Sequence, residues 1–393
     1  MFTNKFLAAS WPKLWLAAAA ALLVAMSGPG RLHAQASASS QDSGSQWEQL
    51  TLSGDVIQLF TPASGAFFAL TSAHQLFRSD DAGAHWRLVR LPPPGTGFHG
   101  RHEIEVDPTD HQVVYAAGAD GLYQTTDDAA SWHVVMPFGQ DMGWNIDEIL
   151  VSPADHNLLF ARLWTHPGGN PNDSELGSTV WRSGDRGRTW QAIQVRSAGP
   201  ITPHPTDPSR LFAALGKAFL TSNNQGDSFS LLQLVDGERG ASGGPEHALV
   251  GGRGALPGRW YTAVWDDQYA APRFEPPFAG SDLYRSDDDS GTWTDVLAFH
   301  DGSPGTLMSG LASDPSNPDH VWAMLTTRTP DPQDAQHLLK SSRLQASGDD
   351  GLTWSDMGQA IDGSVSDLVL GVDGANLYAA TDSGVWRLPL NGD

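Results

Sequence analysis

Four carboxylates fall in two short stretches with strand character, Glu103 and Glu105 in "RHEIEVDP" and Asp147 and Glu148 in "NIDEILVSP". Side chains alternate along a strand, so Glu103 and Glu105 share one side while Ile104 and Val106 take the other. Two carboxyl groups about 5 to 9 Å apart can cleave a glycosidic bond, one as acid and the other as base or nucleophile. Asp266 and Asp267, in "VWDDQY", complete the catalytic candidates. The plainer role for such acids is to solvate a water-filled central channel.

A second set is suited to holding a ligand. Phe98, Trp144, Trp265, Tyr269, Arg273 and Phe274 lie in or beside long loops, where aromatic and charged side chains usually face a partner. Metal chemistry has weaker support. Stretches such as "SDDDSG" have calcium-type ligands, but equivalent copies carry Asn224 or Ala129 and no Glu follows at the EF-hand position. His111, His156, His204 and His320 sit in or beside a recurrent Pro turn, and His99 and His102 have no further ligand cluster near them. No metal and no cofactor is expected.

The elements that must position these residues repeat along the chain. The frame Ser/Thr-x-Asp-x-Gly-x-Thr-Trp occurs as "SQDSGSQW" (40–47), "SDDAGAHW" (79–86), "TTDDAASW" (125–132), "SGDRGRTW" (183–190), "SNNQGDSF" (222–229), "SDDDSGTW" (286–293) and "SGDDGLTW" (347–354). A short β-prone stretch precedes each of the last six copies, and another follows most of them. Upstream, "VDPTDHQVVYAAG", "VSPADHNLLFARL", "PHPTDPSRLFAAL" and "SDPSNPDHVWAML" read as strand, Pro turn, strand. Four strands per unit and seven units predict an all-β, single seven-bladed β-propeller of four-stranded antiparallel blades.

The last unit supplies three strands before the chain stops. The segment "SQDSGSQWEQLTL" is therefore expected to form the outer strand of the seventh blade (40–52), with the propeller spanning 40–393. Within the frame, Asp42, Asp81, Asp127, Asp185, Asn224, Asp288 and Asp349 are expected to accept turn amides, and Gly to supply a positive φ. Trp47, Trp86, Trp132, Trp190, Phe229, Trp293 and Trp354 are expected to wedge between neighbouring blades.

An apolar run at 14–26 follows Lys5 and Lys13 and precedes small-residue sites at Ala34 and Ala36, so residues 1–36 read as a signal peptide. The run is too short to span a bilayer, which requires about 20 apolar residues. Export to the periplasm or beyond follows, with no integral membrane segment after cleavage. No cysteine is present, so stability rests on packing rather than disulfides. The formal charge of −22 opposes nucleic acid and anionic lipid and favours neutral or cationic partners, protein or carbohydrate. A monomer is expected.

"SGDRGRTW" and "SGDDGLTW" resemble the Asp-box, or bacterial neuraminidase repeat. "DPSNPDHVWAML" with "LYAAT" is similar to the blade pattern of sortilin-type, xyloglucanase-type and photosystem II assembly-factor-type propellers. The resemblance covers about residues 40–393 and implies fold more than activity. A sialidase would carry an Arg-Ile-Pro segment, which is absent. Xyloglucanases of this type resemble two facing propellers, whereas one fits here; sortilin-type receptors have more blades and a Cys-rich module. The expectation is a non-catalytic propeller that binds a protein or glycan through long loops on one face. The alternative is a glycoside hydrolase, sialidase-like or glucan-cleaving.

In a four-stranded antiparallel blade the first and third turns share one end. Pro turns and Asp frames are then on one face of the ring, and second turns and inter-blade connections on the other. The long stretches 91–101, 165–179, 235–247, 266–281 and 326–343 are expected as loops on that second face.

Overall fold

The computed structural model describes residues 46–92, 103–118, 120–137, 144–165, 178–193, 201–215, 218–234, 247–250, 259–265, 281–288, 292–298, 306–317, 319–333 and 338–390. The segment 1–36 and Asp42 lie outside these residues. Among the described residues every regular element is a strand, and no helix is long and apolar enough to cross a membrane.

The strands form seven four-stranded antiparallel sheets arranged as a β-propeller. Blade 1 runs outward from Val56–Phe60 to Arg87–Val89, blade 2 from Ile104–Val106 to His133–Pro137, and blade 3 from Trp144–Ser152 to Gln191–Ala192. Blade 4 runs from Ile201–Pro203 to Ser230–Leu234, blade 5 from His247–Val250 to Thr294–Ala298, and blade 6 from Thr306–Ser313 to Ser355–Asp362. Blade 7 combines the last three strands, Val365–Leu370, Asn376–Thr381 and Gly384–Pro389, with Glu48–Ser53 as its outer strand.

That pairing closes the ring at its rim, with Glu48 opposite Arg387 and Gln49 opposite Trp386. Trp47, just before the strand, is half-buried against the core shared by blades 6 and 7. The aromatic wedges recur around the ring. The indole N–H of Trp132 donates to the Arg90 carbonyl at 2.8 Å, that of Trp190 to Val135 at 3.1 Å, and that of Trp354 to Val296 at 3.2 Å, each in the preceding blade.

The cores taper toward the axis. On the second strand of six blades an alanine (Ala69, Ala116, Ala161, Ala213, Ala323, Ala379) pairs with a larger inner-strand residue (Leu59, Ile104, Ile149, Ile201, Leu311, Leu368), and all twelve are buried. Blades converge there, so close packing leaves no room for two large side chains. Inner strands of blades 1, 3, 6 and 7 are bulged, between Val56 and Gln58, Ile146 and Glu148, Met308 and Gly310, and Val365 and Asp367. A bulge re-aims the residue after it. Gly310 is one such residue: a Cβ there would lie 2.8 Å from the Cβ of Leu368, so glycine allows blades 6 and 7 to touch at the axis.

One expectation fails. In the stretch 326–343, residues 326–330 and 338–343 are strand rather than loop: Val321–Pro330 and Leu338–Ser347 pair continuously from Val321↔Ser347 to Pro330↔Leu338. Thr326, Thr327 and Thr329 favour the extended backbone, and the turn chemistry of "PDPQD" acts only at the tip.

Candidate functional site

The Asp frames are built for structure. In blade 3, Ser183 Oγ donates to Asp185 Oδ1 at 2.8 Å and accepts the Gly187 amide at 2.8 Å, while Asp185 accepts the Thr189 amide at 2.8 Å and the Thr189 hydroxyl at 2.7 Å. The same pattern surrounds Asp81, Asp127, Asp288 and Asp349, and Asn224 serves in blade 4 through its Oδ1. These hydrogen bonds to the charged form hold Asp81, Asp127 and Asp185 down at about 2 and lower Asp288 and Asp349 too. The turn places two successive residues at positive φ, Arg186 at 59° and Gly187 at 86°. Glycine has a further purpose there: a Cβ on Gly187 would lie 3.2 Å from Val135 in the preceding blade.

The frames and the Pro turns occupy one face, because the frame backbone donates to the Pro turn of its own blade: Asp128 to Gln112, Arg186 to Asn157, Gln225 to Ser209 and Asp350 to Asp319. The turn histidines belong to this scaffold. His204 Nδ1 accepts the Thr206 and Asp207 amides at 3.2 and 3.0 Å, and His156 Nδ1 lies 2.6 Å from Thr109 Oγ1. Arginines tie this face between blades. Arg78 pairs with Asp128, Arg182 donates to the Gln225 carbonyl at 2.9 Å, and buried Arg259 binds Asp287 at 2.7 Å together with Asp350.

Near the axis, carboxylates reach across to the unpaired edge of the next inner strand. Asp367 of blade 7 accepts the Leu59 amide of blade 1 at 2.9 Å. Glu148 of blade 3 is buried, 3.5 Å from Arg162, and accepts the Ile201 amide of blade 4 through a long contact of 3.4 Å. Glu105 of blade 2 accepts the Val151 amide of blade 3. Its side chain keeps some exposed area, yet protein atoms crowd the carboxyl group, and burial pushes it up to about 8. The Val151 amide opposes that rise, while Asp107 and Glu148 add to it. Glu103, the residue before that strand, is buried.

The structure therefore places Glu105 and Glu148 at successive seams, blade 2–3 and blade 3–4, close enough for their charges to interact, and gives each a structural partner. Asp147 is the bulged residue beside Glu148, and only its backbone is described. Phe98, Asp266, Asp267, Tyr269, Arg273 and Phe274 lie outside the described residues. Trp144 and Trp265 are described by backbone: Trp144 pairs with Thr165 at one end of blade 3, and Trp265 with Ser281 at the same end of blade 5. That end carries the second turns and inter-blade connections.

Sequence reasoning missed Trp164, which pairs with Asn145 next to Trp144. Its signal was its place directly before the long insertion at 165–179. Asp367 was also missed; its signal was its position in an inner strand equivalent to that of Glu148. Among the described residues, no group of three or more His, Asp or Glu side chains is placed to hold a metal ion.

No protein-family model matches the chain. A xyloglucanase from a Paenibacillus species is 24% identical over 340 residues, covering 74% of this chain and 31% of the relative. The GH74 xyloglucanase from Xanthomonas campestris superposes with a TM-score of 0.60 at 17% identity, over 88% of this chain and 53% of that one. YCF48 bound to a D1 peptide superposes with a TM-score of 0.56 at 14% identity, over 92% of this chain and 99% of that one. This chain thus spans about a third of the curated relative and about half of the xyloglucanase structure. At these identities the structural likeness is one of fold.

Proposed function

We propose that this protein is an exported, monomeric propeller that binds a polysaccharide on the face carrying its second turns and inter-blade connections, without cleaving it. The frames among the described residues are Asp-boxes that brace the opposite face. The observation that carries the non-catalytic reading is the engagement of the axial acids: Asp367, Glu105 and Glu148 each hold a backbone amide of the next blade. Similarity to xyloglucanases favours a glycan over a peptide as ligand. The tryptophans whose backbones lie at the ligand face, Trp144, Trp164 and Trp265, suit the apolar faces of sugar rings.

Affinity electrophoresis through gels containing xyloglucan tests this reading. Retardation by the glycan, lost when 266–281 is shortened while the melting temperature holds, is the expected result. Unretarded migration with every plant polysaccharide tried, together with capture by an acidic or basic peptide array, would replace the glycan with a protein partner.

One observation favours a second reading, glycoside hydrolysis. A carboxyl group held up at about 8 is protonated at neutral pH, as a general acid must be. Glu105 would then protonate the leaving oxygen, with a base among Glu103, Asp147, Glu148, Asp266 and Asp267. Release of reducing ends by the wild type but not by Glu105→Gln would favour it.

A further inference from the structure

The hairpin of blade 6 extends past the buried part of its sheet, through Thr327↔Ser341 and Arg328↔Lys340 to Pro330↔Leu338. Arg328 and Lys340 are therefore directly opposed, and their side chains leave the same side of the hairpin about 5 Å apart at Cβ. Like charges in that position repel. Such a pair stands out in a chain with 23 Lys and Arg against 45 Asp and Glu, where acids to separate them are plentiful.

Lys340 is turned toward blade 7: its Nζ donates to Ser364 Oγ at 3.1 Å and lies 3.8 Å from Asp382. Arg328 has no such neighbour among the described residues: it makes no ion pair there, and its buried Nε has no hydrogen-bond partner. One step toward the core on the same side, the hydroxyls of Thr326, Ser342 and Ser309 form a ladder at 2.7 Å each. The surroundings of the two cations are thus polar: Lys340 is held by Ser364 beside Asp382, and Arg328 has no counter-ion among the described residues.

We propose that Arg328 and Lys340 bind the carboxylate of a uronic acid substituent carried on an otherwise neutral polysaccharide. The inference rests on the glycan-binding reading above and names the class of glycan. A guanidinium fork matches a carboxylate through two parallel N–H donors, and a neighbouring ammonium adds a point charge. The ligand's acid groups must be sparse. The net charge of −22 repels a dense polyanion, whereas a single carboxylate at the dyad is screened from charges more than about 8–10 Å away.

The test measures binding of the full chain to a glucuronoxylan, to the same xylan after carboxyl reduction, to polygalacturonate and to xyloglucan. The acidic xylan should bind about tenfold tighter than its reduced form, since hydrogen bonds to a charged group are lost on reduction. Arg328→Gln and Lys340→Gln should each remove most of that difference and leave the reduced form's affinity unchanged. With the wild type, 0.5 M salt should weaken only the acidic xylan, which keeps the test decisive if a variant fails to fold. Polygalacturonate should bind more weakly than the glucuronoxylan.

Equal affinity for the acidic and reduced xylans overturns the inference, as does a preference that survives both substitutions or tightest binding to polygalacturonate. In those cases binding to any neutral glycan leaves the glycan-binding reading standing. Binding to none of the four overturns both.

Discussion

Replacing Asp367 with alanine separates the axial closure of the ring from the rim closure. The Asp367 carboxylate is the acceptor for the Leu59 amide, 308 residues away in sequence, and Leu59 is buried. A hydrogen bond to a charged group contributes about 1.5–3 kcal/mol, and its loss leaves a buried amide without an acceptor. Asp367→Ala should therefore lower the unfolding free energy by about 2 kcal/mol in urea melts, and Asp367→Asn, which keeps a neutral acceptor, by about half that. The rim pair is the internal control. Arg387 and Glu48 meet at 2.6 Å, but the Glu48 side chain is 57% exposed, so Glu48→Ala should cost about 0–1 kcal/mol. Hydrogen exchange locates the effect: the Leu59 amide should exchange faster in Asp367→Ala and at the wild-type rate in Glu48→Ala. An Asp367→Ala loss no larger than that of Glu48→Ala, or an unchanged Leu59 exchange rate, would refute the axial tie.

The remaining predictions concern the frames and the blade 2–3 seam. Gly226→Ala, at φ 92° with its new Cβ only 2.5 Å from Ile193 Cδ1, should destabilise by roughly 1–3 kcal/mol in thermal melts. Ala129→Gly, at φ 64° in the one described frame that lacks glycine, should be neutral or stabilising. Asp81, Asp127 and Asp185 are lowered to about 2, so their contribution is full above the unfolded value of about 3.9 and lost as pH falls toward 2; Asp185→Asn should flatten stability between those limits. Glu105 is raised to about 8, so its effect has the opposite sign: stability should decline as pH rises from about 4.3 through 8, and Glu105→Gln should remove that decline in pH-dependent melts.

Fold was legible because its signals are local and repeated. Each frame has its hydrogen-bonding residues within eight positions, and the missing outer strand at the C-terminal end pointed to 40–52, where the structure has Glu48–Ser53 as the strand. The axial ties were not legible. Alternation correctly put Glu105 opposite Ile104 and Val106, but whether a carboxylate faces solvent or a neighbouring amide depends on bulges and on the approach of the next blade, neither of which periodicity encodes. The blade 6 hairpin misled because "TPDPQDAQ" has turn composition, while pairing with a long partner strand kept its flanks extended. Arg328 and Lys340, 12 positions apart in sequence, become a pair only through that register.

The account's central claim is that the propeller holds a glycan while its axial acids hold the blades. Wild-type protein at micromolar concentration, incubated with xyloglucan and assayed both for saturable binding and for new reducing ends, tests it most directly. The account predicts a binding isotherm with no product over the no-enzyme control. Reducing ends that accumulate with time and vanish in Glu105→Gln or Glu148→Gln would contradict it.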